Sequence, residues 1–388
     1  MYATDVVPLS KTRNWTRARL IHEMRRVGRQ HGMELPDDAS LRRMIRLWST
    51  GERGLSEMYA RLFTEIFGVP FQPGKRAHDP AQDQDHRQED GDHEGSDELA
   101  ARLSLAATVD AELIALFEEQ TDSLRRIDRR LGAARILAQT EAHVAQMSDL
   151  LTYSLPSRCR PALAAAVAEA AALAGWQALD LGDTREAWLL HETAKAAARD
   201  SENPAILAHV TAQQAYVLLD LGRVREASEL INHARTEAAR RVPDLLLAWL
   251  WAAEAESLAA AKDEHQARAA LDKAAQALPA NSVDETLPFI FLDDVHLARW
   301  RGHCLARLGA TEAVDDLTKA LTRLDPTFTR AAASLRCDLA LAYSVRGQHE
   351  EARFEARQAQ ELADLTASVR QRRRIKQLMM SGQKHPGD

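Results

Sequence analysis

Three cysteines in 388 residues, Cys159, Cys304 and Cys337, are too few and too scattered for a disulfide framework. No CxxC pair occurs among them, which excludes the common zinc patterns. Aromatic residues make up 5 % of the chain, and β-branched runs of alternating polarity are absent, so sheet architectures are excluded. No apolar run reaches the roughly 20 residues of a membrane span, and the N-terminus lacks the apolar core of a secretion signal. With reduced cysteines, these absences predict a cytoplasmic protein with no membrane partner.

Catalytic signatures are also missing. There is no G-x-x-x-x-G-K-[ST], no G-x-G-x-x-G after a strand and no G-x-S-x-G. His22-Glu23 and His191-Glu192 open like a zinc-binding H-E-x-x-H, but Arg26 and Lys195 stand where the second histidine belongs. His78, His86 and His93 lie among acids in a stretch that reads as solvated. No catalytic residue, metal site or cofactor is expected, and the chain reads as a non-enzyme.

What is present is charge asymmetry and repetition. The net charge is -7, yet residues 11–76 hold 14 Lys/Arg against 7 Asp/Glu, a surplus of +7. Asp5 contributes -1, so the other 312 residues sum to -7 - 7 + 1 = -13. Residues 77–98 hold nine acids and one arginine with almost nothing apolar, the composition of a flexible acidic linker. Before them, 1–14 reads as irregular and 15–70 as three short helices. After them everything reads as helical: a hairpin region over 99–156, repeats over 168–365 and a capping helix over 366–380 with a polar outer face.

The repeats have a period near 40. Four phrases align, LDLGDTREA (179–187), LDLGRVREA (219–227), LARLGATEA (305–313) and AYSVRGQHEEA (342–352), with a weaker LAAAKDEHQA at 258–267. Each sets a turn residue (Gly182, Gly222, Lys262, Gly309, Gly347) shortly before an alanine (Ala187, Ala227, Ala267, Ala313, Ala352). Seven residues beyond each alanine is another, Ala194, Ala234, Ala274, Ala320 and Ala359. Seven before each turn is a small residue, Gly175, Ala215, Ala255, Gly302 or Ala340. Seven residues are two helical turns, so paired small residues share a face and let two helices nest. Pro204, Pro243, Pro279 and Pro326 are expected where each second helix stops.

This pattern resembles the tetratricopeptide repeat, in five copies over about 168–365. The resemblance implies an all-α solenoid whose first helices line a concave groove. The repeat register places Trp176, His209, Gln213, Tyr216, Trp249, Glu256, His296, Arg299, Trp300 and His303 in that groove. Such a set suits a peptide, protein or small ligand, with aromatics filling pockets and polar groups bonding a backbone. The plainer reading is that the tryptophans pack between repeats. Gln213 and Asp338 replace the groove asparagines of carboxylate-clamp chaperone adaptors, so the sequence argues against that role.

In the basic head, apolar residues at Leu20, Ile21, Met24 and Val27 form one helical stripe. Leu41, Met44, Ile45 and Trp48 form a second, with Arg42, Arg43 and Arg46 on the opposite face and Asp38 or Ser40 as cap. Met58, Leu62, Ile66 and Phe67 form a third. The stretch from Ile45 to Val69 resembles the C-terminal half of Cro-type helix-turn-helix domains, matching at Ile45, Trp48, Gly51, Leu62, Ile66, Phe67, Gly68 and Val69. It departs at Ser49, Thr50 and Leu55, and only residues 32–39 separate the first helix from the second. The resemblance implies that Arg42, Arg43 and Arg46, with Ser40, Arg17 and Arg19 nearby, meet double-stranded DNA. A remnant that keeps the fold without reading DNA stays open beside it.

The combination resembles bacterial regulators in which a Cro-type domain precedes tetratricopeptide repeats. That implies a cytoplasmic transcriptional regulator whose solenoid dimerises and senses a ligand. A DNA-independent interaction scaffold is the alternative.

Overall fold

The computed structural model describes residues 1–13, 15, 17–33, 35–51, 53–74, 87–239, 241–280 and 284–381. They form eighteen α-helices and two short 3-10 turns, with no strand among the described residues and one isolated bridge between Leu55 and Gly74. The chain divides into two units, Met1–Ser96 and Asp97–Asp388.

The first unit holds α1 (Val6–Thr12), α2 (Arg17–Gln30), α3 (Asp38–Ser49) and α4 (Glu57–Phe67). The three expected stripes supply most of the core: Leu20, Met24, Leu41, Ile45, Trp48 and Leu62 are all at most 1 % exposed, joined by Phe63, which no stripe included, while Met44 and Met58 are only half-buried. Trp48 meets Tyr59 and Phe63 edge-on, at 4.7 and 5.4 Å between ring centroids. The described part of 1–14, residues 1–13, is not irregular as expected. Ala3 and Val6 are buried against this core, and α1 packs on α3. Two small apolar residues at the right register order a segment that composition alone reads as frayed. The cap of α3 is Asp37, not Asp38 or Ser40; its carboxylate accepts from the Ser40 backbone N–H at 2.7 Å.

The acidic segment also differs from expectation. Residues 77–86 lie outside the described residues, whereas 87–98 belong to α5 (Arg87–Ala106). The run DELAARLSLA continues into strong helix formers, and Arg102 bonds Glu98 one turn back and Asp149 in the helix Leu137–Tyr153.

The second unit is six helical hairpins and a final helix. The pairs are α6 (Ala111–Leu131) with α7 (Leu137–Tyr153), α8 (Arg160–Asp180) with α9 (Thr184–Asp200), and α10 (Pro204–Asp220) with α11 (Val224–Ala238). Then come α12 (Asp244–Ala260) with α13 (Glu264–Ala277), α14 (Asp294–Leu308) with α15 (Ala313–Arg323), and α16 (Thr329–Val345) with α17 (His349–Leu365). The last helix is α18 (Val369–Ser381). This is the tetratricopeptide-type all-α solenoid that the 40-residue period predicts.

All five turn residues adopt the left-handed conformation, including Lys262 at φ 65°, where only a side chain willing to leave the usual region can serve. The small-residue pairs mark the close approaches. A Cβ on Gly175 would sit 2.6 Å from the His191 ring, and one on Gly302 would sit 2.5 Å from Leu317. Of the prolines, Pro279 and Pro326 follow their helices as expected. Pro204 instead opens α10 and Pro243 caps α12. Proline has no N–H to lose at a first turn, so it starts a helix as readily as it ends one.

Helix α8 is long and apolar enough to cross a membrane by length and composition, contrary to the sequence reading. Most of it is buried instead, because its alanines, from Ala164 to Ala178, face α9, α7 and α10 at once.

Candidate functional site

The first helices of the hairpins do more than line an open arc. Each touches the next, α6 to α8, α10, α12, α14 and α16, and α16 returns to α6, so the six form a closed circuit. Inside lies a cavity of about 920 Å³. All ten residues placed in a groove by the repeat register line it.

The period explains their convergence. Residues at equivalent places in successive repeats stack on one another. Trp176 meets Tyr216 edge-on at 5.7 Å, and Tyr216 Oη donates to Glu256 across 40 residues at 3.2 Å. His209 meets its equivalent Trp249 at 4.8 Å, and Trp249 meets Trp300, four positions further along the register, at 5.8 Å. The aromatics therefore pack between repeats and face the cavity at the same time, so the two readings of the tryptophans are not alternatives.

Glu256 is the hub. Its Oε2 accepts from Tyr216 and, at 2.6 Å, from the Trp300 indole N–H, while Oε1 lies 3.3 Å from His303 Nε2. Burial would raise its carboxyl, but the His303 imidazolium and these donors hold it far below the usual carboxylate range. His303 Nδ1 meets Asp338 at 2.8 Å. Burial alone would lower the imidazole, yet Asp338 and Glu256 together raise it. Asp338 also accepts from Arg374 and is pulled down to about 2, His303 and Arg374 outweighing desolvation. His209 is different: buried among rings, it is pushed down to about 3 by desolvation and stays neutral.

Several lining groups carry no period and escaped the sequence reading. Arg330 on α16 grips Asp128 on α6 at 2.6 and 3.2 Å. Arg370 on α18 donates from Nε to both Asp220 oxygens at 2.9 and 3.0 Å, and Ser368 Oγ donates to Asp180 at 2.7 Å. Helix α18 is therefore more than an end cap. It joins α16 and α17 to α8, with Gln371 and Ile375 buried. Its five Arg/Lys in TASVRQRRRIKQLMM were the available signal, since basic residues suit a wall whose acids lie on α6, α8 and α10. Phe289, Phe291 and Phe328 complete the aromatic lining from connecting segments.

On the head, Arg42, Arg43 and Arg46 are exposed on α3 opposite its buried face, and no described carboxylate pairs with them. Ser40 is half-buried at the helix start. Arg19 instead lies on α2 and pairs with the buried Glu23 at 2.9 Å, as does Arg26 at 2.7 Å, so Arg19 has a structural task. The Arg17 side chain lies outside the described residues. Among the described residues no cluster of His, Cys, Asp and Glu could hold a metal, and the three cysteines are free thiols.

The ring of hairpins and its cavity define an α-solenoid of tetratricopeptide type with a central cavity. No family model matches the sequence, and no curated protein matches it. Among solved structures, the chain is similar to BtubC (BKLC) from P. vanneervenii, at 15 % identity and a TM-score of 0.42, covering 66 % of this chain and 95 % of that one. It is also similar to a Rap protein complexed with competence and sporulation factor, at 17 % identity and a TM-score of 0.45, covering 67 % and 66 %. Both scores lie below 0.5, and the solenoid assignment rests on the chain's own hairpins.

Proposed function

We propose that the second unit is a receptor that encloses a short peptide or small ligand within its ring, and that the protein works through interaction and not catalysis. The observation that carries this reading is the convergence of ten repeat-related residues and the charged groups of α6, α16 and α18 on one 920 Å³ space. That is the size of a ligand site, with apolar walls and a few placed polar groups. Full-length protein equilibrated with a pooled random hexapeptide library, then passed through a desalting column, is expected to retain a subset detectable by mass spectrometry. Ala331→Trp, which plugs the cavity wall, is expected to retain none. Equal retention by both proteins, or no retention by either, sinks the receptor reading.

A second reading, that the head binds DNA so that the ligand regulates transcription, is favoured by one observation. Arg42, Arg43 and Arg46 stand exposed and without described carboxylate partners within a segment of +7. A reader of this kind acts as a dimer with heads about 34 Å apart, so sedimentation of the full chain as a dimer would accompany it. Without DNA binding, the protein is the interaction module alone.

A further inference from the structure

Two guanidinium groups on the cavity wall make no ion pair with a carboxylate among the described residues, although Asp338 and Glu256 act on Arg299, and Asp122 and Asp128 on Arg129, at longer range. Arg299 on α14 makes no hydrogen bond and no ion pair among the described residues, and its Nε is buried. Arg129 on α6 lies over the faces of Phe291 and Phe328, at 4.9 and 5.1 Å, and makes no hydrogen bond or ion pair to a carboxylate among the described residues. The acids that could neutralise them are engaged elsewhere: Glu256 with Tyr216, Trp300 and His303, and Asp338 with His303 and Arg374. Burial lowers both arginines from their usual range, which records the unfavourable setting of each cation. On α8, beside Arg125, burial outweighs that arginine and pushes the Glu169 carboxyl up to about 7.

A cation held in a low-dielectric wall without a hydrogen-bonded counter-charge is costly. It costs less where a ligand supplies the charge, because a guanidinium fork matches a carboxylate in two parallel bonds. We propose that the cavity takes a ligand bearing a carboxylate beside an apolar body. Arg299 receives the carboxylate, Phe291 and Phe328 receive the apolar part, and Arg129 adds positive potential to the same wall. This rests on the receptor reading and names the chemistry of its ligand. The carboxylate can be the C-terminus of a peptide or that of a free organic acid.

The test uses the full chain, Arg299→Met, Arg299→Lys and, as a structural comparison, Arg330→Met. Each is melted alone. Each is then assayed for retention of random hexapeptides with free C-termini, the same pool with amidated C-termini, and 2-naphthoate. Without ligand, Arg299→Met is expected to melt at or above the wild type, since an unpaired buried charge is gone, while Arg330→Met melts lower. Wild type is expected to favour a free-acid probe over the amidated pool by about tenfold or more. Arg299→Met loses that preference and Arg299→Lys keeps part of it. Retention of free-acid peptides without naphthoate assigns the peptide source, and the reverse assigns the organic acid. If free and amidated peptides are retained equally, the receptor stands and the carboxylate site falls. Retention of nothing overturns both, and an Arg299→Met that melts as low as Arg330→Met makes Arg299 a structural residue and overturns the proposal.

Discussion

Arg330 and Asp128, 202 residues apart in sequence, face each other in a two-pronged ion pair that joins the sixth hairpin to the first. Through it the row of first helices becomes a ring. Burial would lower the Arg330 guanidinium, but Asp128 and, at 3.8 Å, Asp180 hold it above its usual value, while at Asp128 burial outweighs Arg330 and raises the carboxyl. Removing one partner strands the other charge. Arg330→Ala is expected to cost about 3–5 kcal/mol in urea unfolding, and the Arg330→Met, Asp128→Leu double variant to recover much of it. Additive single effects would mean that the two residues do not act together.

Helix α18 closes the same ring from the side. Ending the chain after Thr366 removes Arg370 from Asp220, Ser368 from Asp180 and Arg374 from Asp338. Small-angle scattering is expected to give a larger radius of gyration for the truncated protein, with helical content reduced only by the lost segment. An unchanged radius would assign closure to Arg330 and Asp128 alone.

The close approaches between paired helices tolerate no added atom. Gly302→Val meets the Leu317 side chain and backbone, and is expected to destabilise by about 1–3 kcal/mol. Gly222→Ala meets nothing within 4 Å but sits at φ 74°, and loses about 1 kcal/mol through backbone strain alone. Equal melting temperatures for Gly302→Val and wild type would contradict the nested packing.

Acid is expected to weaken the solenoid from about pH 6.5 downward. His143, His191, His209 and His296 are each lowered chiefly by burial. A histidine depressed in the folded state contributes no penalty above its unfolded value, and stability is lost as pH falls below it. For His209, lowered to about 3, the loss reaches about 2 kcal/mol at pH 5. His303 runs the other way: raised, it stabilises below pH 6.5 and its contribution fades as pH rises through its folded value. Thermal melts from pH 5 to 8 check both, with His209→Phe expected to flatten the acid limb and His303→Gln the alkaline one.

The head makes a separate prediction. Changing Arg42, Arg43 and Arg46 together to alanine is expected to abolish duplex DNA binding while circular dichroism is unchanged. Wild-type affinity should fall with salt by roughly 0.9 in log K per log salt for each phosphate contacted. An undiminished gel shift by the triple variant would remove α3 from the interface.

The head core was readable because Leu20, Met24, Ile45, Trp48 and Leu62 repeat at helical spacing, and a periodic stripe has one physical outcome. Ala3 and Val6 were not, since two buried residues in a short segment make no period. The ten cavity residues were readable for the same reason as the stripes, because register carries from repeat to repeat. Arg125, Arg129, Arg330 and Arg370 were missed, because each stands once and only its position in space gives it meaning.

Sequence alone determined the hairpins, their turns and which face of each first helix turns inward, since these follow from local spacing of small and apolar side chains. Only the tertiary structure decided that the array closes. Closure depends on the sum of small rotations over six hairpins and on charges that meet across 150 to 202 residues, and no local pattern encodes either.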